Sequence, residues 1–486
     1  MKQELSQEYK NRWLALAVIN IGTFIAPFDT GIVSIVLPNI ARDFRAHISI
    51  AIWVPVIYLI ILAAFMTSFG RYSDIKGRKK FFNIGLLIFV AGSFLSGNAA
   101  DIFQLLVFRI IQAVGGAFLL ANGRALITDA FPPHQRGFAM GTHVTTIYVA
   151  LALGPALGGV ITDLVGWKTV FFVNVPIGIA MLVLSHFKVK EREAVANVKM
   201  DWLGSLLLGF GLSTLLLGLT FGPGSNWGTK ETYFELIEGQ VQSFSVPIVG
   251  LLVLGIALLI GFGAVQLKTQ YPVLDLRLLT SNRLFLSSNL AVLLIYTAHH
   301  STIIMLSFYL QLFRGMDPFD AAIILVALPA AVTVVSPIGG SFSDRIGSRE
   351  LSAIGLTLVT VGLALLGFLS PTTSIVLIIV ALIVLGIGVG LFAAPNTNAN
   401  LSSVTPDKRS LANGMLGSMR HMGQSLSLVL SVAAIGIFLP ENIYEQGGLI
   451  SVPEYIMGLN NAFRVGAIIA AIGIFVALIR EKRKSD

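Results

Sequence analysis

Long apolar runs recur along the chain and are separated by short polar segments. Runs of about 18 or more apolar residues are typical of transmembrane helices, because about 20 residues of α-helix cross the hydrocarbon core of a bilayer. The runs are apolar on every side and lack the two-residue alternation of a membrane β-strand. We therefore predict an all-α polytopic membrane protein. The predicted spans, numbered one to fourteen, are 13–37, 51–69, 81–98, 102–124, 137–162, 168–187, 202–221, 246–267, 284–306, 319–342, 350–369, 374–397, 410–438 and 461–480.

The composition supports a membrane protein and excludes several classes of site. Only 12% of the 486 residues are charged and 55% are hydrophobic, whereas soluble domains carry about 25% charged residues. The absence of cysteine excludes disulfides, thiolate metal sites and cysteine nucleophiles. No G-x-x-x-x-G-K-[ST] nucleotide loop, metal-ligand spacing or catalytic triad occurs. We expect no enzyme activity, no cofactor, no metal and no nucleotide, so transport would draw on an ion gradient or be passive.

The net charge of +8 reflects membrane topology. With the N-terminus placed in the cytoplasm, 25 of the 33 Lys and Arg residues fall in cytoplasmic segments, including Arg124 after span four. The outside segments hold five, namely Arg42, Arg45, Lys168, Lys230 and Arg314. Since cytoplasmic loops carry the excess of basic residues, both termini are predicted to be cytoplasmic, in the cell membrane. A nucleic-acid partner is not needed to explain the charge.

Two loops form an internal repeat. GRYSDIKGRKK runs over Gly70–Lys80 and GSFSDRIGSRE over Gly340–Glu350, after spans two and ten. The shared positions are Gly70, Asp74 and Gly77 in the first copy and Gly340, Asp344 and Gly347 in the second. Such a repeat predicts two like-oriented six-span halves with spans seven and eight inserted between them. The predicted divisions are 1–200, 201–270 and 271–486. We expect ordinary loops at 222–245 and 440–460.

Asp29 stands inside the apolar run of span one, a position where a carboxylate is expensive and is by default a candidate for function. Arg109 in span four lies at a similar depth, about 12 Å below the outer surface at 1.5 Å per residue. Gln112 and Gly116 share its helical face. A buried arginine needs a partner, and Asp29 or a nearby carbonyl could supply one. A purely structural arginine is the alternative.

Span five contains ALALGPALGG, in which Ala150, Gly154 and Gly158 recur every four residues. Small residues at this spacing let a second helix approach closely. Pro155 removes a helical hydrogen bond and bends the helix. Helix packing alone would explain this pattern, including Gly159.

Together these segments resemble the major facilitator superfamily, and specifically its fourteen-span drug:proton antiporter branch. The resemblance rests on six segments: PFDTGIVSIVLP around Asp29, GRYSDIKGRKK, LLVFRIIQAVGGA around Arg109, ALALGPALGG, GWKTVFFVNVPIG after span five and PVLDLRLL before span nine. It implies that Gly70, Asp74 and Arg78 lock and release a cytoplasmic gate between the halves. The second loop departs from the pattern, since Ser348 stands in the register of Arg78. The span-five motif is associated with exporters in this family.

Other polar residues within spans are less specific. His299 and His300 are predicted toward the outer end of span nine, and could take part in coupling or bond within the bundle. Arg420 and Gln424 share a face of span thirteen, where bonding between helices is expected. Asp320 begins span ten as a candidate N-cap.

We therefore expect a secondary active exporter of lipophilic, cationic compounds, with Asp29 as the proton site and alternating access between the halves. A monomer in the lipid bilayer, with protons and small molecules as its partners, would suffice. Three alternatives stay open: an exporter of a defined metabolite such as a siderophore, sugar or amino acid, a facilitator that uses no ion, and a membrane enzyme or sensor.

Overall fold

The computed structural model describes residues 2–46, 48–191, 201–222, 229–235, 241–270, 272–405, 409–437 and 452–479. Within them, helices cover all fourteen predicted spans, generally with longer ends, because helical hydrogen bonding continues into polar residues. The helices are Lys2–Asp43, Trp53–Lys76, Arg78–Gly97, Ile102–Ala130, Pro133–Val165, Thr169–Lys188, Trp202–Phe221, Ile248–Lys268, Arg283–His299 with Thr302–Phe308, Pro318–Leu325 with Ala327–Ile346, Ser348–Leu366, Ile375–Ser402, Arg409–Gly436 and Val452–Leu478. Short helices Ile48–Ala51 and Leu276–Ser281 lie between spans.

Among the described residues, thirteen of the spans are long and apolar enough to cross a membrane. The exception is span thirteen, Arg409–Gly436, which has the length but not the hydropathy. Polar residues such as Arg420, His421 and Gln424 lower its apolar content. A membrane helix of this composition must turn its polar face away from lipid, toward the interior of the bundle.

Span nine is interrupted. A helix over Arg283–His299 is followed by Thr302–Phe308 and a π-helical turn over Tyr309–Phe313. The whole segment reaches from Arg283 to Phe313. The prediction that His299 and His300 lie toward its outer end was therefore wrong, since the helical structure continues well beyond them and places them near its middle.

Two predicted loops also contain regular structure. In 222–245, strands Thr229–Glu235 and Val241–Pro247 pair antiparallel, with Thr229 opposite Pro247. In 440–460, the last helix already begins at Val452. The prediction of ordinary loops was wrong at these two places. The strands are too short and polar to have appeared in a pattern of apolar runs.

Spans one to six, the first six-span set, pack in the same pattern as spans nine to fourteen, the second six-span set. Span three packs on four and six, and span eleven packs correspondingly on twelve and fourteen. Span one packs on five and six, and span nine on thirteen and fourteen. The repeat in sequence is thus accompanied by a repeat in packing.

Glycines set the closest approaches at equivalent places of the two sets. A Cβ at Gly85 in span three would lie 3.1 Å from the Gly115 carbonyl oxygen of span four. A Cβ at Gly355 in span eleven would lie 2.6 Å from the Gly388 carbonyl oxygen of span twelve. Larger residues would separate these helix pairs, which pack in lipid mainly by backbone proximity.

Spans seven and eight pack on each other, and span seven also touches spans two and thirteen. The Ser68 and Ser205 hydroxyls, 2.6 Å apart, join span two to span seven. Asp201 caps span seven through the Gly204 N–H and accepts a hydrogen bond from Gln266 of span eight at 2.6 Å. The division at 200 and 270 remains a prediction.

The two six-span sets contact each other at two levels. Toward one end, Gln311 Nε2 of span nine donates to the Ile35 carbonyl of span one at 2.8 Å. Deeper in the bundle, the hydroxyls of Thr67 in span two and Ser418 in span thirteen lie 3.1 Å apart. Large apolar side chains such as Phe187 and Phe475, 74% and 70% exposed, cover the outside. Such a surface fits a lipid environment.

Candidate functional site

Asp29 and Arg109 form an ion pair inside the first six-span set. Arg109 Nη1 lies 2.5 Å from Asp29 Oδ2. The Asp29 side chain is 1% exposed and the Arg109 side chain is 0% exposed. The structure thus brings together two residues that the sequence placed at the same depth. Arg109 Nε also donates to the Val54 carbonyl of span two at 3.3 Å.

Three amide and hydroxyl side chains complete the site. Gln112 accepts from Arg109 Nη1 at 2.6 Å and donates to Asp29 Oδ1 at 2.9 Å. Asn174 of span six donates to the same Asp29 oxygen at 3.1 Å and to the Ser93 hydroxyl, also at 3.1 Å. We call Asp29, Ser93, Arg109, Gln112 and Asn174 the buried acid network. It joins spans one, three, four and six.

Ser93 and Asn174 are site residues that the sequence motifs did not indicate. Both lie in otherwise apolar stretches and are fully buried. A signal was present for Asn174, because an amide within VFFVNVPIG must find a partner inside the bundle. Tyr58 was missed as well: its ring lies 4.5 Å from the Arg109 guanidinium carbon, a cation–π contact.

The buried acid network retains some free hydrogen-bonding capacity. Arg109 Nη2, the Tyr58 hydroxyl and Asn174 Oδ1 are buried without a hydrogen-bond partner among the described residues. Buried polar groups are normally satisfied, so such atoms need an explanation. They would leave the network room to rearrange if the charge of Asp29 changed. Chemically, the carboxylate can accept a proton, which would remove its attraction for Arg109.

The same network also stabilises the fold. Breaking a buried ion pair by removing one partner costs about 3–5 kcal/mol, because the remaining charge is left uncompensated. A structural role and a role in proton coupling are therefore compatible, and an experiment must separate them.

The first repeat loop holds an ion-pair chain at the end of the bundle where Lys76, Lys80 and Lys188 lie, which we call the basic end. Arg78 Nε lies 2.6 Å from Asp74 Oδ1, and Arg78 Nη1 lies 2.7 Å from Asp129 Oδ2 at the end of span four. Asp129 was not identified from the sequence. The chain ties together the ends of spans two, three and four.

Glycine shapes both repeat loops. Gly77 has φ +107° and Gly347 has φ +104°, a region that side-chain-bearing residues rarely adopt. Each glycine separates two helices. The Gly77 N–H donates to the backbone carbonyl of Ser73, and the Gly347 N–H donates to that of Ser343. The side chain of Asp344 lies outside the described residues. Gly70 and Gly340 sit at corresponding places, where an added Cβ would lie 3.6 Å from Ala121 or 3.5 Å from Ala394.

We expect Asp129→Asn to slow transport about as much as Asp74→Asn does, because each removes one carboxylate from Arg78. Stability should change by less than about 1 kcal/mol, since these pairs are partly exposed. Initial transport rates and melting temperatures of the two purified variants would check this. A rate for Asp129→Asn equal to that of the native protein would show that the Arg78–Asp129 ion pair is not needed for transport.

The span-five glycines lie against other helices. A Cβ at Gly154 would lie 2.7 Å from Gly31 Cα, and one at Gly158 would lie 2.8 Å from the Ile35 side chain, both in span one. A Cβ at Gly159 would meet the Pro318 carbonyl of span ten at 2.7 Å. Pro155 lies within the continuous helix Pro133–Val165. This motif therefore packs span five against spans of both six-span sets.

The remaining predicted residues are not part of the buried acid network. His299 Nδ1 contacts its own Ile295 carbonyl at 2.6 Å, and His300 is half-buried nearby. Gln424 bonds to His421 within the same helix at 2.8 Å. Asp320 lies exposed in the first turn of its helix, whose N-cap is Asp317, so the N-cap assignment was wrong.

Arg124 lies within a helix and not in a loop. The charge count placed it in the cytoplasmic segment after span four, and the helix of span four continues to Ala130. Arg124 is half-buried inside the bundle and donates from Nη1 to Asn413 Oδ1 of span thirteen. The predicted span ended at Arg124 because basic residues are typical of loops between membrane spans. In the structure, Arg124 has a partner in the second six-span set.

Comparisons with known proteins agree with this architecture. Riboflavin transporter RibZ of Clostridioides difficile is 28% identical over 98% of this chain and 99% of its own length. Multidrug resistance protein 3 of Bacillus subtilis is 29% identical over 88% of this chain and 80% of its own. The crystal structure of a bacterial homolog of the human lysosomal transporter Spinster, in its inward-facing unoccupied conformation, matches with a TM-score of 0.67 at 15% identity, covering 96% of both chains.

The family assignment covers most of the chain. A family model described as Major Facilitator Superfamily matches residues 19–428 and, in an overlapping match, 289–486. The relatives are transporters that include multidrug resistance proteins, and the fold has the two similarly packed six-span sets described above. The protein belongs to the Major Facilitator Superfamily and is a membrane-spanning transporter related to multidrug efflux proteins.

Proposed function

We propose that the protein is a secondary active exporter of lipophilic small molecules, driven by inward proton flow across the cell membrane. The observation that carries this proposal is the buried acid network, in which a titratable carboxylate lies paired inside the first six-span set. Carboxylates inside a membrane bundle mark proton and substrate pathways. The excess of Lys and Arg in the basic-end segments supports placing that end, and both termini, in the cytoplasm.

Proton coupling would act through the ion pair. When Asp29 accepts a proton, its attraction for Arg109 falls, and the guanidinium must rely on Gln112 and the Val54 carbonyl. The two arrangements differ in charge and in the bonds that join spans one, three, four and six. A proton taken up on one side and released on the other would thereby bias the rocking of the six-span sets. One chain supplies both sets, so we propose a monomer.

The buried acid network also bears on the charge of the substrate. The expectation of cationic compounds rested on the buried acid Asp29 and on the family resemblance. With Arg109 Nη1 2.5 Å away, that carboxylate already has a cationic partner, and a cationic substrate would have to displace it. The cationic preference stays a prediction to which this geometry gives no support.

A second candidate is an exporter of one defined metabolite. It is favoured by the similarity to a riboflavin transporter over nearly the whole chain, whereas the similarity to multidrug resistance proteins favours a broad range. A panel of chemically unrelated fluorescent compounds would separate the two, since a narrow exporter should move at most one chemical class.

The test of the proposal uses purified protein in liposomes with an imposed pH gradient. We expect a transported compound to accumulate against its own concentration gradient, with proton movement in the opposite direction recorded by a dye in the lumen. Collapse of the gradient by an ionophore should stop accumulation. Accumulation that ignores the pH gradient, or movement that only equalises concentrations, would overturn proton antiport.

A further inference from the structure

Arg420 is a cation in span thirteen that lacks a hydrogen-bonding partner among the described residues. It lies near the middle of the helix Arg409–Gly436 and is half-buried, with its Nε fully buried. In the part of the chain that the structure describes, no residue forms a hydrogen bond or an ion pair with it. An unpaired arginine at membrane depth is costly and faces the interior or a water-filled space, where it marks a substrate or ion path.

Arg124 brings a second cation toward Arg420 from the other six-span set. The two side chains are close enough for their charges to repel each other. Arg124 is held by Asn413, about two helical turns from Arg420 on span thirteen. The pair therefore lies across the boundary between the two sets, where a substrate would be in contact with both.

No carboxylate balances these charges in the part of the chain that the structure describes. Asp29 is held by Arg109, and Asp129 by Arg78. Spans nine and thirteen contain no acidic residue at all, and Asp163 of span five lies near the end of its helix. His143 and His421, which lie near Arg124, add no negative charge. The interior between the sets is thus net positive.

Two tyrosines lie beside the arginines. The guanidinium carbon of Arg420 is 5.2 Å from the ring centroid of Tyr296 in span nine. Tyr148 of span five lies near both arginines and near Tyr296. Aromatic faces offer apolar contact area for a planar ring, while their hydroxyls offer hydrogen bonds.

We propose that Arg420 and Arg124 bind the acidic group of an amphipathic organic anion, whose aromatic or apolar body lies against Tyr148 and Tyr296. Guanidinium groups bind carboxylate and phosphate oxygens through paired, charge-assisted hydrogen bonds. In a low-dielectric interior that recognition is stronger than in water. This inference rests on the proposed transport function and specifies its substrate class as anionic.

The test measures the binding of three probes to the purified native protein and to the Arg420→Gln variant, with no pH gradient imposed. The probes are a fluorescent aromatic carboxylate, its methyl ester and an analogue that carries a trimethylammonium group on the same ring system. We expect Arg420→Gln to weaken carboxylate binding at least tenfold and to leave ester binding within about twofold. Arg420→Lys should restore part of the affinity, since it keeps the charge but not the paired geometry.

Arg464→Gln is the matched control. Arg464 is an arginine of span fourteen that is exposed and donates to the Gly367 carbonyl at 3.0 Å, so its loss should leave carboxylate binding unchanged. Melting temperatures of all variants would show that they fold. Equal carboxylate affinity for folded Arg420→Gln and native protein, or tighter binding of the trimethylammonium analogue than of the carboxylate, would overturn the proposal.

Because this assay uses no gradient, its failure is distinct from failure of proton antiport. Arginine-dependent binding of the carboxylate, with transport that ignores pH, would support the anion site and reject proton coupling. Proton-coupled transport of the cationic analogue that is unaffected by Arg420→Gln would support proton coupling and reject the anion site.

Discussion

Asp29→Asn is expected to abolish uphill, proton-driven transport while leaving exchange of one substrate molecule for another. The amide can still accept hydrogen bonds from Gln112 or Asn174, so the network keeps most of its contacts. It cannot bind and release a proton at neutral pH, and it no longer attracts Arg109 as a carboxylate does. Exchange needs only that the loaded protein changes conformation, whereas uphill transport needs the proton cycle.

The measurement compares two assays in liposomes: accumulation driven by a pH gradient, and exchange of labelled for unlabelled compound at equal pH on both sides. We expect accumulation to fall to background and exchange to stay within about threefold of the native rate, a margin of less than about 1 kcal/mol in activation free energy. Asp201→Asn is the control, because Asp201 is also a buried aspartate but caps span seven and bonds to Gln266. Full accumulation by Asp29→Asn would remove Asp29 from the coupling mechanism.

A structural role of the pair would produce a different result. Asp29→Asn should lower the melting temperature in either case, because Arg109 loses its charged partner. If the buried acid network only holds spans together, accumulation and exchange should fall by the same factor. Arg109→Gln combined with Asp29→Asn removes both charges and should recover stability relative to Arg109→Gln alone, since no unpaired charge is left buried. Recovery of stability without recovery of accumulation would separate packing from proton coupling.

Gly154→Ala is expected to destabilise the first six-span set and to abolish transport. The added Cβ would lie 2.7 Å from Gly31 Cα and 2.8 Å from the Gly31 carbonyl carbon, so that spans one and five must separate. Overpacking of this kind costs about 1–3 kcal/mol. Gly31 is two residues from Asp29, and the shift would also disturb the buried acid network.

Thermal unfolding in detergent and transport in liposomes would check this prediction. Gly141→Ala provides a control in the same helix, because an added Cβ there has nothing within 4 Å. Its stability should stay equal or rise slightly, as alanine is the better helix former. Equal melting temperatures and equal transport rates for the two variants would show that spans one and five can separate without cost.

The transmembrane fold could be predicted from the sequence because it follows from rules that act along the chain. A bilayer requires apolar helices of a given length, and the positions of Lys and Arg indicate their orientation. The repeated loops at Gly77 and Gly347 predict two related halves, since each needs glycine at a positive φ between two helices. The depth of a residue in the membrane also follows from its position along its helix. The similar depths of Asp29 and Arg109 could therefore be predicted from their positions within spans one and four.

The sequence alone determined the number and order of the spans, the repeat and the similar depth of Asp29 and Arg109. The tertiary structure alone decided which faces meet: it placed Ser93 and Asn174 against Asp29, and Arg124 near Arg420 from the opposite six-span set. The physical reason is that lipid and protein interior are both apolar. The distribution of hydrophobic residues around a membrane helix therefore gives little information about which face points into the bundle. That orientation is fixed by packing against helices from distant parts of the chain.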